Sequence, residues 1–275
     1  MSGSLYLVGT PIGNLGDLSP RAAQTLAEAD FIAAEDTRVT LKLLNHLGLK
    51  KPMVSYYEHN LRQRGEEIVA RILAGETCAI VTDAGMPCIS DPGEDLVALC
   101  AGAGVPVLAV PGPSAVITAL AVSGLPTSRF SFEGFLTTNK RGRREHLEQI
   151  SKATQTLIFY EAPHKLPATL QDMLSALGDR PLSLCRELTK VYEEVRRTTL
   201  AEAAAYYAEH PPRGEFVLVV AGASPQAQED DAPTFEEAVG EVQALMAQGA
   251  AASEAARQVA KATGYKKGDL YKGAL

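Results

Sequence analysis

Val81-Thr82-Asp83-Ala84-Gly85-Met86-Pro87-Cys88-Ile89-Ser90-Asp91-Pro92-Gly93 decides the fold class. The apolar run Cys78-Ala79-Ile80-Val81 leads into it and reads as a buried parallel strand. Glu94–Ala103 follows and reads as a helix. The stretch holds two glycines, two prolines and two aspartates. Glycine lets backbone approach a ligand closely and proline sets kinks. The carboxylates fall at the strand's carboxyl end, where ligands bind in an open α/β sheet. Gly and Asp also serve plain turn geometry in many strand-to-helix connections. The length of this one, with its proline kinks, favours a ligand loop.

Outward from this loop the same unit recurs. Toward the N-terminus, Leu5–Val8, Phe31–Ala34 and Met53–Ser55 read as strands. Helices separate them: one opened by Ser19 as N-cap and Pro20 and running to about Ala29, one ending at Leu47 before Gly48, and one over Leu61–Ala74 before Gly75. Toward the C-terminus, Val107–Val110 leads into Pro111-Gly112-Pro113-Ser114. Alternating strands and helices predict a parallel α/β domain over residues 1–124. Residues 125–223 read as a second α/β domain of mixed sheet, with strands Phe130–Phe135, Thr156–Tyr160, Leu182–Cys185, Val191–Thr199 and Phe216–Ala221. Helices Lys140–Ile150 and Ala201–His210 lie among them. A polar linker spans 224–233 with the acidic cluster Glu229-Asp230-Asp231, and 234–275 reads as a small helical domain.

Composition excludes several classes. The chain carries 26 Lys and Arg against 33 Asp and Glu, net −7, so no global basic field draws it to nucleic acid. Any RNA contact must use local basic patches. Cys78, Cys88, Cys100 and Cys185 show neither a CxxC pair nor a His partner at metal spacing, so no metal is expected. Buried thiols fit a cytoplasmic protein. Leu5–Val8 is too brief for a signal segment, and no apolar run approaches a membrane span.

Chemically versatile residues recur just after the strands. Gly9-Thr10-Pro11-Ile12-Gly13 lacks the spacing of a phosphate loop, and Pro11 removes an N–H that a phosphate would want. Something flatter than a pyrophosphate suits it. Ser114 reads equally as an N-cap and as a ligand contact. Glu35-Asp36-Thr37-Arg38 reads equally as a catalytic group and as an acidic helix start with a surface ion pair. His59, beside Glu58, reads as a loop hydrogen-bonder. Lys140, Arg141, Arg143 and Arg144 form one basic cluster, and Arg186, Lys190, Arg196 and Arg197 another. Each is either a solvated face or a seat for an anionic substrate.

Leu5–Asn14, Val81–Gly93 and Val110–Ala115 resemble the S-adenosylmethionine-binding loops of the tetrapyrrole methylase superfamily. Ala34–Arg38, Asp83–Gly93, Phe159–Lys165 and Cys185–Lys190 resemble one subfamily of it, the small-subunit ribosomal RNA methyltransferases of type I. That subfamily 2′-O-methylates a cytidine in the decoding region of 16S ribosomal RNA. The likeness spans about residues 5–222 in motif order. Met86 and its neighbours depart from the Gly-Asp-Pro usual in tetrapyrrole enzymes, which favours the RNA subfamily.

The resemblance implies two α/β domains of the tetrapyrrole methylase type with a ligand cleft between them, plus a small C-terminal helix-turn-helix-like domain. It implies S-adenosylmethionine as cofactor, 16S ribosomal RNA within the small ribosomal subunit as partner, and a homodimer. Carried over, Pro11, Asp83, Ala84, Gly85 and Met86 line the donor site, joined by Ser114, Ala115, Tyr160 and the last strand near Ala221. Asp36 is the first choice of base, Glu35 the second, with Asp83 and Asp91 behind. Arg38, Lys140, Arg141, Arg186 and Lys190 are the expected RNA contacts. Lys261, Lys266, Lys267 and Lys272 either add RNA affinity or merely decorate a packing domain. Three rival readings stay open: a methyltransferase for a corrinoid precursor, a non-catalytic RNA-binding assembly factor, and a cation-dependent phosphate hydrolase built on Asp83 and Asp91.

Overall fold

The computed structural model describes residues 3–57, 59–224 and 234–275. Strands β1 (Leu5–Val8), β2 (Phe31–Ala34), β3 (Met53–Ser55), β4 (Cys78–Val81) and β5 (Val107–Val110) lie parallel in the order β3-β2-β4-β1-β5. Helices α1 (Pro20–Glu28), α2 (Thr37–His46), α3 (Leu61–Leu73) and α4 (Glu94–Gly102) connect them. Every residue of β2 and β4 is buried, because successive side chains enter cores on opposite faces. Phe31, Ala33, Cys78 and Ile80 meet Ile68, Ile72, Leu96 and Cys100 of α3 and α4. Ile32, Ala34, Ala79 and Val81 meet Ala22, Leu26, Leu43 and Leu44 of α1 and α2. Cover on both faces explains apolar runs without polar alternation. As the sequence predicts, Ser19 caps α1, accepting the Ala22 N–H at 3.0 Å.

The chain leaves β1 toward β2 and leaves β4 toward β5, on opposite sides. Strands β1 and β4 are neighbours, so a topological switch point opens a crevice at their carboxyl ends.

The second sheet comprises β6 (Phe130–Phe135), β7 (Thr156–Glu161), β8 (Pro181–Arg186), β9 (Glu194–Thr199) and β10 (Phe216–Val220), ordered β6-β7-β10-β8-β9. Only β6 and β7 pair in parallel, so the sheet is mixed. Helix α5 (Ala115–Ser123) packs Val116, Ala119 and Leu120 against Ile158, Cys185, Val217 and Val219 of this sheet. The sequence reading places α5 with the first sheet. Its apolar face goes instead to the second, because Pro111–Ser114 carries the chain across. The alternates Leu157, Phe159, Leu218 and Val220 are buried too, so this sheet is covered on both sides. Helices α6 (Lys140–Gln149), α7 (Leu166–Leu177) and α8 (Leu200–Glu209) complete the unit.

Two sequence expectations fail here. The sequence reading leaves out helix α7, although Pro167 in its first turn and Leu166, Leu170, Met173 and Leu177 at helical spacing signal it. The strand expected over Val191–Thr199 begins only at Glu194, because Lys190–Glu193 forms a turn closed by Glu193 N–H on the Lys190 carbonyl at 3.2 Å.

Both sheets belong to one compact unit that ends at Ala221. A second unit holds α9 (Phe235–Ala247), α10 (Ala252–Thr263) and α11 (Lys267–Ala274). Its core is small: Ala238, Val242, Ala255, Ala256, Val259, Leu270 and Ala274. Thr234 and Glu237 form a reciprocal capping box at the start of α9. The linker expected over 224–233, with Glu229-Asp230-Asp231, lies from residue 225 onward outside the described residues, as does Glu58. Among the described residues no helix is long and apolar enough to cross a membrane.

Candidate active site

Three strand-end loops of the first sheet are locked at the switch point. A Cβ on Gly9 would stand 2.7 Å from the Gly112 Cα and 2.7 Å from the Met86 Sδ. Only glycine lets the loops after β1 and β5 cross this closely. Thr10 and Gly85 exchange backbone hydrogen bonds at 2.9 and 3.2 Å, tying the first loop to the loop after β4. The Thr10 hydroxyl donates to the Thr82 carbonyl at 3.2 Å. In the β4 loop, Cys88 and Ser90 adopt φ of 71° and 65°. Such left-handed side-chain residues cost roughly 1 kcal/mol or more each and persist where the surroundings over-determine them.

A cavity of about 510 Å³ opens over these loops, a size that suits a small organic ligand. The first sheet contributes Ile12, Glu35, Asp83–Met86 and Asp91. The second sheet contributes Tyr160, Glu187, Leu188 and Lys190. Glu35 accepts the Thr82 hydroxyl at 2.6 Å, and Asp83 accepts the Asp36 N–H at 3.2 Å. Burial, then the Glu35 charge, raises the Asp83 carboxyl above its usual range. Burial, then Glu35, pushes Asp91 up to about 6. Burial first, aided by the Asp91 charge, lifts the Tyr160 phenol to about 12, so it stays neutral. Its ring stands 4.9 Å from Phe132 and 5.4 Å from Phe135.

Lys190 reaches the cavity as an ion-paired group. Its Nζ lies 3.0 Å from a carboxylate oxygen of Glu187 and 3.0 Å from one of Glu215. Gly13 leaves room for its stem, since a Cβ there would fall 2.5 Å from the Lys190 Cγ. Glu187 and Thr189 take positive φ of 51° and 66°, which turns the chain sharply beside the cavity.

Of the residues the sequence singles out, the structure gathers Glu35, Asp83, Ala84, Gly85, Met86, Ser114, Ala115, Tyr160 and Lys190 around the cavity. Ser114 stands at the N-cap position of α5 but makes no side-chain cap bond. Pro11 stands between bridged Thr10 and cavity-lining Ile12 without lining the cavity itself. Ala221 is not brought to the site. Strand β10 runs antiparallel to β7 and β8, so its first residues, Phe216 and Val217, reach the cavity, and Ala221 pairs with Pro181 at the far end. Asp36 lies outside the lining and caps α2, its carboxylate gripped by Arg38. Arg186 bonds Glu194 at 2.8 Å and Arg141 bonds Glu145 at 2.7 Å, neither in the cavity wall. Lys140 is exposed at the start of α6. Arg143 turns inward onto buried Asp172, and half-exposed Arg144 bonds the same carboxylate. Sequence reasoning missed Glu187 and Glu215 as site residues, since nothing local marks carboxylates brought together by a sheet pairing.

The lining chooses the ligand's charge. Glu35, Asp83, Asp91, Glu161, Glu187 and Glu215 face it, and among the described residues Lys190 is the only Lys or Arg that does. Such a wall repels a pyrophosphate and favours a cation. Ile12, Met86, Leu188 and Val217 add apolar surface for a flat ring. S-adenosylmethionine, with a sulfonium, an ammonium and an adenine, fits that combination. Among the described residues no group of acidic, His or Cys side chains is arranged to hold a metal ion.

Comparison with known proteins agrees with this geometry. Residues 4–204 match the family described as Tetrapyrrole (Corrin/Porphyrin) Methylases. The chain is 50% identical over 272 residues to the Ribosomal RNA small subunit methyltransferase I of Synechocystis, covering 98% of this chain and 96% of that one. The protein of the same name from Thermotoga maritima is 47% identical over 220 residues, 80% of this chain and 99% of its own. The crystal structure of uroporphyrin-III-C-methyltransferase from Thermus thermophilus shares the fold, with a TM-score of 0.56 at 20% identity over 79% of this chain and 94% of that one. A chain with this cavity at its switch point, matched along nearly its whole length, belongs to the tetrapyrrole methylase family and, within it, to the ribosomal RNA small subunit methyltransferase I group.

Proposed function

We propose that the protein transfers a methyl group from S-adenosylmethionine to the 2′-oxygen of a cytidine in the decoding region of 16S ribosomal RNA. Methyltransferases of this family use that donor, which supplies an electrophilic methyl carbon on a sulfonium. The observation that carries the reading is the acid-lined cavity at the switch point, in a chain half identical to a ribosomal RNA methyltransferase.

The chain's own residues have definable work. Asp83 to Met86, Ser114 and Ala115 hold the donor against the locked loops. Tyr160, neutral and backed by Phe132 and Phe135, closes one wall and excludes water. The cavity carboxylates offset the donor's positive charge. Glu35 faces the cavity and Asp36 stands next to it in sequence. Exposed Arg38, Lys140 and Arg141 are placed to meet phosphates, which position a nucleic acid without reading its sequence. Phosphates drawing on Arg186 or Lys190 must first displace Glu194, Glu187 or Glu215. The target nucleotide has to be unstacked for its ribose to enter. The division we propose is 1–124 and 125–223, although α5, at the end of the first range, packs on the second sheet, and a helical domain over 234–275 adds RNA affinity. We expect the protein to act as a homodimer in the cytoplasm on the assembled small subunit.

The test is methyl transfer from labelled S-adenosylmethionine into small ribosomal subunits lacking the modification, followed by nucleoside analysis. Labelled 2′-O-methylcytidine is expected. Donor binding without label in RNA would redirect the search to tetrapyrrole acceptors, and a chain that binds no donor would end the methyltransferase reading.

A further inference from the structure

We propose that Asp91 is the cavity carboxylate that takes the proton from the attacking ribose hydroxyl. This rests on the methyl-transfer reading above.

Four carboxylates cluster at the ends of β2 and β4, and their hydrogen-bond partners separate them: Glu35, Asp36, Asp83 and Asp91. Asp36 accepts three bonds from Arg38 side-chain nitrogens and one from its N–H, and it does not line the cavity. Asp83 accepts the Asp36 N–H. Glu35 takes the Thr82 hydroxyl proton at 2.6 Å. Asp91 also lines the cavity, and its carboxylate takes none of these bonds. A threonine has one hydroxyl hydrogen, and here it points to Glu35. Thr82 can therefore offer that hydrogen to Asp91 only in competition with Glu35. Asp91 is the cavity carboxyl left short of a donor.

The loop holds Asp91 in that position. Cys88 and Ser90 before it and Gly93 after it all sit at positive φ, and a Cβ on Gly93 would strike the Cys88 Sγ at 2.6 Å. The groups that face Asp91 are Glu35 and Asp83 from the first sheet, Cys88 from its own loop and Tyr160 from the second sheet. The cavity lysine, Lys190, is committed to Glu187 and Glu215. Burial, Glu35 and Asp83 therefore raise Asp91 with only the Thr82 bond opposing, to about 6. At neutral pH such a group is deprotonated yet keeps more proton affinity than an ordinary carboxylate, which is what a general base needs.

The step balances. The 2′-oxygen forms a bond to the methyl carbon, and the carbon–sulfur bond leaves its electron pair on sulfur. The hydroxyl proton passes to an Asp91 carboxylate oxygen. The positive charge that entered on the sulfonium leaves as that proton, released to water after product departs.

Carbon-13 carboxyl NMR of the full chain without donor should show one carboxyl titrating at about 6, absent in Asp91→Asn. In single turnovers with saturating donor and unmodified subunits, Asp91→Asn should lose about a hundredfold to ten-thousandfold in rate. Its donor affinity should fall far less than its rate, since Asp91 is one of six carboxylates on the cavity wall while general-base loss acts on the transition state. The wild-type rate should climb with pH along an acid limb that the Asn variant lacks, and Asp91→Glu should restore part of the rate together with the limb. The role is overturned by an Asn variant that keeps its acid limb or turns over within about tenfold of wild type. Wild-type protein that labels no RNA would remove the reading beneath it, a result distinct from active wild type with an indifferent Asp91.

Discussion

Arg38 grips both oxygens of the Asp36 carboxylate, with its Nε 3.0 Å from Oδ1 and its Nη2 2.6 Å from Oδ2. The Arg38 N–H adds a third anchor at 2.8 Å. That grip, above all the side-chain bond, holds the Asp36 carboxyl down to about 2. A group so reluctant to take a proton is a weak base. Asp36→Asn should therefore keep turnover within about tenfold of wild type, with its acid limb unmoved, in the assay that cripples Asp91→Asn. Asn is also a good N-cap, so α2 should survive the change.

Asp91 should weaken the fold it serves. Its folded carboxyl titrates at about 6 against an ordinary 3.8. Between those values the folded chain holds a proton that the unfolded chain has lost, so stability falls as pH rises through about 6 and is fully present below about 4. Asp91→Asn should raise the melting temperature at pH 7.5 by a few degrees, on the order of 1 kcal/mol after discounting for solvent screening. The gain should vanish near pH 4. Thermal melts across that range would check it, and an equal gain at both ends would refute it.

The crossing of Gly9 and Gly112 should tolerate no side chain. A Cβ on Gly112 would lie 2.9 Å from the Gly9 Cα and carbonyl oxygen, against backbone that cannot swing away. Gly112→Ala should cost about 1–3 kcal/mol of stability and weaken donor binding by more than about tenfold, since the displaced loop carries Ser114. Calorimetry on the folded variant separates the two effects.

Asp172 should matter for folding and not for chemistry. It is almost fully buried, and Arg143 and Arg144 approach it at 2.6 and 3.0 Å. Burial works against its charge, but the two guanidinium groups outweigh that and hold the carboxyl below the usual range. Asp172→Ala strands a buried Arg143 and should cost about 3–5 kcal/mol. Surviving folded protein should bind donor normally.

Replacing Lys261, Lys266, Lys267 and Lys272 by Gln in the full chain should flatten the salt dependence of subunit binding. All four are exposed on the three-helix unit. Each phosphate that thereby goes without a cation should reduce the slope of log affinity against log salt by about 0.7–0.9. An unchanged slope would make that unit a packing element. The Thermotoga maritima relative, matched over 99% of its length by 220 residues, shows that proteins of this name exist without an extra 55 or so residues.

Much of the fold is legible because it depends on local punctuation. Ser19-Pro20, Gly48 and Gly75 bound helices where the chain bounds them, and doubly covered strands must read as unbroken apolar runs. The cavity loops are legible for a related reason, since glycines and prolines mark where backbone must bend. What escapes the sequence is direction and partnership. Ala221 looks like a strand end facing the site until the antiparallel pairing of β10 reverses it. Arg143 and Arg144 look like a basic patch until Asp172, on another helix, claims them. Asp36 stands out by sequence position, and nothing local in the sequence shows how fully Arg38 claims its carboxylate.

The contact of Gly9 with Gly112, and the bridge of Thr10 to Gly85, tie the cavity loops to one another. A donor that finds these loops already in place has no second arrangement to select. On that footing donor occupancy should not reach the RNA through a moving loop on this side of the cleft. Any interdependence in how the two substrates bind has to arise where they touch each other, so analogues of the donor lacking its methyl group should leave RNA affinity almost as they find it.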